Sequence, residues 1–212
     1  WRESMKSQKV CPNEYEHQYW PLDKVIVGID EAGRGPLAGP LTVAGVIFPI
    51  GYENPDIYDS KSISEKKRDT LFEQIQEDAL WFEIIQVTPE EIDQHNIYRA
   101  DQLAMEQIAI HSNADVVLTD AMPLLIEGKE IIPLVKGDQK SISIAAASIL
   151  AKVTRDRTML EYDKEFPEYG FAKHKGYPTK QHMEALRSYG VTKIHRKSFG
   201  PVREEYMKIK LF

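Results

Sequence analysis

A chain of 212 residues, 42% hydrophobic and 28% charged, is long enough for one well-buried core and has the composition of an ordinary globular protein. No run approaches the roughly eighteen apolar residues of a membrane span, no secretory pattern opens the sequence, and a single cysteine, Cys11, excludes an internal disulfide. These features predict a cytoplasmic protein without a membrane association. The net charge of −6 argues weakly against nucleic acid, yet residues 171–212 carry +7 and residues 1–170 carry −13. Such asymmetry permits a basic binding face opposite an acidic site, although a solvated tail has the same signature.

Residues 1–23 mix polar, aromatic and charged types without a period and read as an N-terminal arm; residues 24–212 read as one domain. Val25–Ile29 is a short apolar run of the kind that forms a buried strand. Asp30 and Glu31 follow it, then a turn rich in glycine and proline (Gly33, Arg34, Gly35, Pro36, Gly39, Pro40), then a second strand over Leu41–Phe48. After a loop to Asp59, the spacing Ser62-x-x-Glu65 predicts a capping box and a helix with Leu71, Phe72 and Ile75 on one face. Leu80–Ile85 is the next strand. Thr88-Pro89-Glu90-Glu91 is a strong helix start, and after a break near Asn96 a longer helix runs to about Ser112, with Ala100, Leu103, Ala104 and Ile108 inward.

Val116–Thr119 predicts a short strand ending at Asp120, and Ile131–Val135 another, ending just before Gly137-Asp138. An alanine-rich helix spans about Ile142 to Tyr162. Thr179 caps a last clear helix, with Met183 and Leu186, which Gly190 stops. The portion from about residue 163 is basic and helical. Strands alternating with helices argue an α/β fold.

Four carboxylates, Asp30, Glu31, Asp120 and Asp138, each follow an apolar run, and strand ends along one sheet edge can converge. Hard oxygen ligands of this kind suit Mg²⁺ or Mn²⁺, and no His/Cys cluster has zinc spacing. Taken singly, Asp120 reads as a turn residue and Asp138 as a charge at a helix N-terminus. Asp156, one turn after Lys152, reads as an i,i+4 ion pair. A phosphate-cradling P-loop is excluded, because Leu-Ala-Gly-Pro stands where Gly-Lys-Ser/Thr is needed and Pro40 has no amide to donate.

The whole string Asp-Glu-Ala-Gly-Arg-Gly-Pro-Leu-Ala-Gly-Pro resembles the signature of the type 2 ribonuclease H family, specifically ribonuclease HII. DSKSISEKKR (Asp59–Arg68), GDQKSISIAAASILAKVTRDR (Gly137–Arg157) and HKGYPT (His174–Thr179) follow in the family's order, so the resemblance spans roughly Val25 to Val202. It implies a ribonuclease-H-like core, a mixed central sheet flanked by helices, with a helical C-terminal portion. It implies an endonuclease that acts on RNA–DNA hybrids and on ribonucleotides embedded in duplex DNA, cutting 5′ to the ribonucleotide with two divalent ions. Asp30, Glu31, Asp120 and Asp138 match the family's metal-holding acids, although Ala121-Met122-Pro123 departs from the usual Asp-Gly. Gly33, Arg34 and Gly35 match the turn that reads the 2′-hydroxyl, and Tyr177 the tyrosine that packs on the sugar, with Pro178 where glycine is common. Lys61 is expected on the nucleic-acid backbone, and His195, Arg196 and Lys197, with Lys173 and Lys175, along the phosphates. A monomer is expected.

Overall fold

The sheet takes its shape from the antiparallel pair that the sequence sets on either side of the glycine-rich turn. In the computed structural model, which describes residues 12–209, strands β1 (Ile26–Ala32) and β2 (Leu41–Ile47) pair antiparallel, and β3 (Trp81–Val87) extends β2 antiparallel. On the other side β4 (Val116–Asp120) runs parallel to β1, and β5 (Glu130–Leu134) parallel to β4. The order is β3-β2-β1-β4-β5, a mixed sheet as expected. Cys11 and the rest of residues 1–11, like residues 210–212, lie outside the described residues.

Alternation along β1 and β2 sends side chains to two cores. Val27, Ile29, Leu41 and Val43 pack under helices α3 (Pro89–His95) and α4 (Ile97–His111), once α1 (Glu16–Tyr19) and α2 (Glu65–Asp78) are counted before them. Ala44 and Val46 face α2 and the long α5 (Ile142–Glu165). Ala145, Ala146 and Ala147 let α5 lie close to the sheet, and a Cβ on Gly28 would fall 2.3 Å from the backbone nitrogen of Ile144. The chain closes with α6 (Phe171–His174), α7 (Lys180–Tyr189) and α8 (Gly200–Ile209), the helical C-terminal portion.

Local chemistry explains most boundaries. Thr88 and Glu91 form the reciprocal capping box, Asn96 breaks the chain at φ +62°, Thr179 caps α7 and Gly190 ends it. The start of α2 differs from expectation. Ser64 is its N-cap, accepting from the Lys67 amide, because the Ser62 hydroxyl instead donates to the Asp59 carbonyl within a 3-10 turn at Ser60–Ser62. Strand β1 also runs three residues further than Ile29: Asp30, Glu31 and Ala32 pair with Ala44, Val43 and Thr42, so both acids stand inside the strand. On α4, Ala100, Ala104 and Ile108 are buried as expected, but Leu103 is half-buried and a carboxylate, Asp101, is fully buried. Of the expected arm, residues 12–22 pack on the body. Trp20 is buried, and Glu16 accepts from the Ser141 hydroxyl (2.6 Å) and the Ser143 amide (3.0 Å).

Candidate active site

Register brings the acids together. Parallel pairing sets Ile29 beside Thr119, so Asp30 on β1 is level with Asp120 at the end of β4. Asp120 Oδ1 in turn accepts from the Gly137 amide (2.8 Å), which ties it to the 3-10 turn that carries Asp138. Asp30, Glu31, Asp120 and Asp138 all line one cleft of about 400 Å³, together with Gly33, Arg34, Gly35, Lys61, Lys152, Arg155 and Tyr177. The four acids, the Gly33–Gly35 turn, Lys61 and Tyr177 named from the sequence therefore border this cleft, whereas the basic cluster of Lys173, Lys175, His195, Arg196 and Lys197 does not.

The acids repel one another and are poorly hydrated. Burial, then the neighbouring Glu31 and Asp120, pushes the Asp30 carboxyl well above the usual range. Burial and Asp120 raise Glu31 against the opposing pull of Arg34. Burial, followed by Asp59 and Asp120, pushes Asp138 up to about 6, with Lys61 acting the other way. A desolvated ring of carboxylates with so little cationic compensation fits hard divalent ions, which would neutralise it. Glu31 Oε2, buried and without a hydrogen-bond partner, is a donor atom with no other use. Among the described residues no three acidic, histidine or cysteine side chains already converge as a closed cage. The site is an open one.

The glycine-rich turn, which borders the same cleft, is fixed by two buried arginines. Arg196 donates to the carbonyls of Gly33 (2.7 Å), Arg34 (3.1 Å) and Gly39 (3.0 Å). Arg155 donates to those of Pro40 (3.0 Å) and Ala38 (3.1 Å). The Leu37 amide donates to Gly176 (2.8 Å), which holds the turn against the loop carrying Tyr177. The half-exposed Tyr177 ring lies 5.8 Å from the Arg155 guanidinium carbon.

Behind Tyr177, two buried histidines form a neutral chain. His195 Nδ1 accepts from the Thr192 amide, so its Nε2 carries the proton that it gives to His182 Nε2 (3.0 Å); His182 Nδ1 then donates to the Tyr177 carbonyl (3.0 Å). Burial lowers His182 to about 4 and His195 to about 3.

The basic cluster needs correction. His195 and Arg196 are buried and spend their polar atoms on the fold, so they do not track phosphates; a sequence reports their charge but not that it faces inward. Lys175 is half-buried with its ammonium on the Ala172 carbonyl, whereas Lys173 and Lys197 are exposed. Lys152 and Asp156 form the expected ion pair (2.7 Å). Two acids near the site were missed. Asp59, in the DSKS segment, faces Asp138, and Asp101 on α4 lies 3.4 Å from Arg34.

Comparison with known proteins places the sequence and the fold in one family. The family model described as Ribonuclease HII matches residues 27–202. A ribonuclease HII of Acholeplasma laidlawii is 52% identical over 179 residues, covering 84% of this chain and 88% of that protein. The crystal structure of ribonuclease H2 from Pyrococcus horikoshii superposes with a TM-score of 0.73 at 26% identity, over 88% of this chain and 99% of that one. Bst-RNase HIII in complex with Mn²⁺ shares the fold at 14% identity, with a TM-score of 0.61 over 89% of this chain and 71% of that one.

Proposed function

The chain belongs to the ribonuclease HII family, and from that premise we propose that it incises duplex DNA immediately 5′ to an embedded ribonucleotide, leaving 5′-phosphate and 3′-hydroxyl ends. As a family member it is a metal-dependent hydrolytic endonuclease that cleaves the RNA of RNA–DNA hybrids. The observation that supports the finer reading is one cleft lined both by the acids and by the Gly33–Gly35 turn and Tyr177.

In this reading Asp30, Glu31, Asp120 and Asp138 hold two divalent ions, Mg²⁺ or Mn²⁺. Such ions supply an activated water and charge stabilisation at the leaving oxygen. The remaining tasks belong to the chain. Only the 2′-hydroxyl marks a ribonucleotide among deoxyribonucleotides, and reading it takes backbone polar groups that approach the sugar closely. Gly35 leaves that approach open and Gly33 lets the turn sit against Arg155, while Arg196 and Arg155 keep the turn from moving when the sugar arrives. Tyr177 offers a flat face to the ribose, and Arg34 and Lys61 offer cations to the phosphates. Phosphate contacts set register without reading sequence, which suits an enzyme that meets ribonucleotides anywhere. The same reading has it acting as a cytoplasmic monomer, in keeping with its single cysteine.

The test is cleavage of a labelled DNA duplex with one ribonucleotide, in Mg²⁺ or Mn²⁺, beside an all-DNA duplex. A single cut 5′ to the ribonucleotide is expected, with none in the control; equal cutting of both duplexes would sink the sugar reading. Asp138→Asn should lower kcat by about 100-fold or more and change KM little, because the lost charge acts on the transition state. Full activity in that variant would remove Asp138 from the site.

A further inference from the structure

The buried face of α4 carries Ala100, Ala104, Met105, Ile108 and Ala109, and in the middle of this apolar stripe stands Asp101. Its side chain is 0% exposed, and neither carboxylate oxygen has a hydrogen-bond partner among the described residues. A buried carboxylate left this way is a poor stabiliser, since nothing replaces the water it gave up. What faces it is Arg34, whose Nε lies 3.4 Å from Asp101 Oδ2. The alternation of β1 explains the meeting: Glu31 points to the α4 side of the sheet and Asp30 to the α5 side. Arg34 thus lies between Glu31, 3.8 Å from its Nη1, and Asp101.

We propose that Asp101 is a positioning residue for Arg34, holding the guanidinium by its Nε edge so that its outer N–H groups face the substrate phosphate in the cleft. Arg34 is suited to being held. Its backbone carbonyl is fixed by Arg196, yet its side chain is 43% exposed and borders the cleft. Without a second partner it has only Glu31, a weak contact with an acid assigned to the divalent ions. Asp101 keeps the guanidinium in place when Glu31 is otherwise engaged. The inference rests on the reading that Arg34 contacts substrate.

A double-mutant cycle on the full chain tests it, with the single-ribonucleotide duplex as substrate and equilibrium binding to the same duplex in EDTA as a second readout. Asp101→Asn, nearly isosteric, should fold with an undiminished Tm, raise KM and the dissociation constant by about fivefold, and change kcat less. Asp101→Ala, which can accept nothing from Nε, should weaken binding at least as much. In an Arg34→Ala background neither substitution should weaken binding further. A merely structural Asp101 gives losses that multiply with those of Arg34→Ala, and that result overturns the proposal. So do Asp101 variants that bind like the parent chain while Arg34→Ala is impaired. If Arg34→Ala itself binds and cleaves normally, the reading of Arg34 fails first and takes the proposal with it.

Discussion

At Gly33 the backbone is left-handed (φ +96°), and a side chain there would begin 2.1 Å from Arg155 Nε. That nitrogen is no free tip, because it and Nη2 are both committed to carbonyls of the same turn. Gly33→Ala is therefore expected to cost about 1–3 kcal/mol, read as a lower urea midpoint, and to reduce cleavage at a ribonucleotide further than stability alone explains. A variant with unchanged midpoint and kcat/KM would show the turn to be compliant. Asp30, Glu31 and Asp138 were legible because each lies in a long motif string. Asp120 rested on the apolar run before it and on its place in the resemblance. Asp101 was not legible, since a lone acid in a helix reads as its solvated face. Arg196 was misread for the opposite reason: a basic triplet looks like a phosphate contact until its carbonyl partners, distant in sequence, are known.

Among the elements, α5 and β1 set the geometry of the cleft together. Gly28 lets the helix backbone rest on the strand, and Ser148, a turn further along α5, reaches the Asp30 carboxyl. Gly28→Ala would put a methyl against Ile144 N and Ser143 C, both backbone atoms at 2.3 Å, so the helix must shift as a body. The expected loss is about 3 kcal/mol in urea denaturation, with activity falling alongside as Ser148 moves from Asp30. Retention of both would mean that α5 has slack to give. Strand and helix order was readable from hydrophobic period and caps. The ends were less so: β1 continues through two charged residues because β2 completes their ladder, and α2 starts late because a neighbouring carbonyl claims Ser62.

Across the whole molecule two sets of groups titrate against each other. Asp30, Glu31, Asp101 (about 8) and Asp138 (about 6) are raised by burial first, so the folded form holds their protons more tightly than the unfolded chain. Their contribution is full in acid and is lost as pH rises through those values. His182 (about 4) and His195 (about 3) are lowered, so their contribution is full above the unfolded value of 6.5 and is lost as pH falls below it. The Tm of the protein in EDTA should therefore decline from pH 6 towards pH 8, where Mg²⁺ should restore it more than at pH 6. Thermal scans with and without Mg²⁺ check this; a Tm in EDTA that climbs steadily from pH 6 to 8 would contradict it. Arg196, finally, grips a carbonyl 162 residues earlier in the chain. On the ribosome, the acidic strand emerges early, but the turn beside it waits for Arg155 and then Arg196 before its carbonyls are held. A nascent chain thus carries the acids of a nuclease well before it has the shape of one.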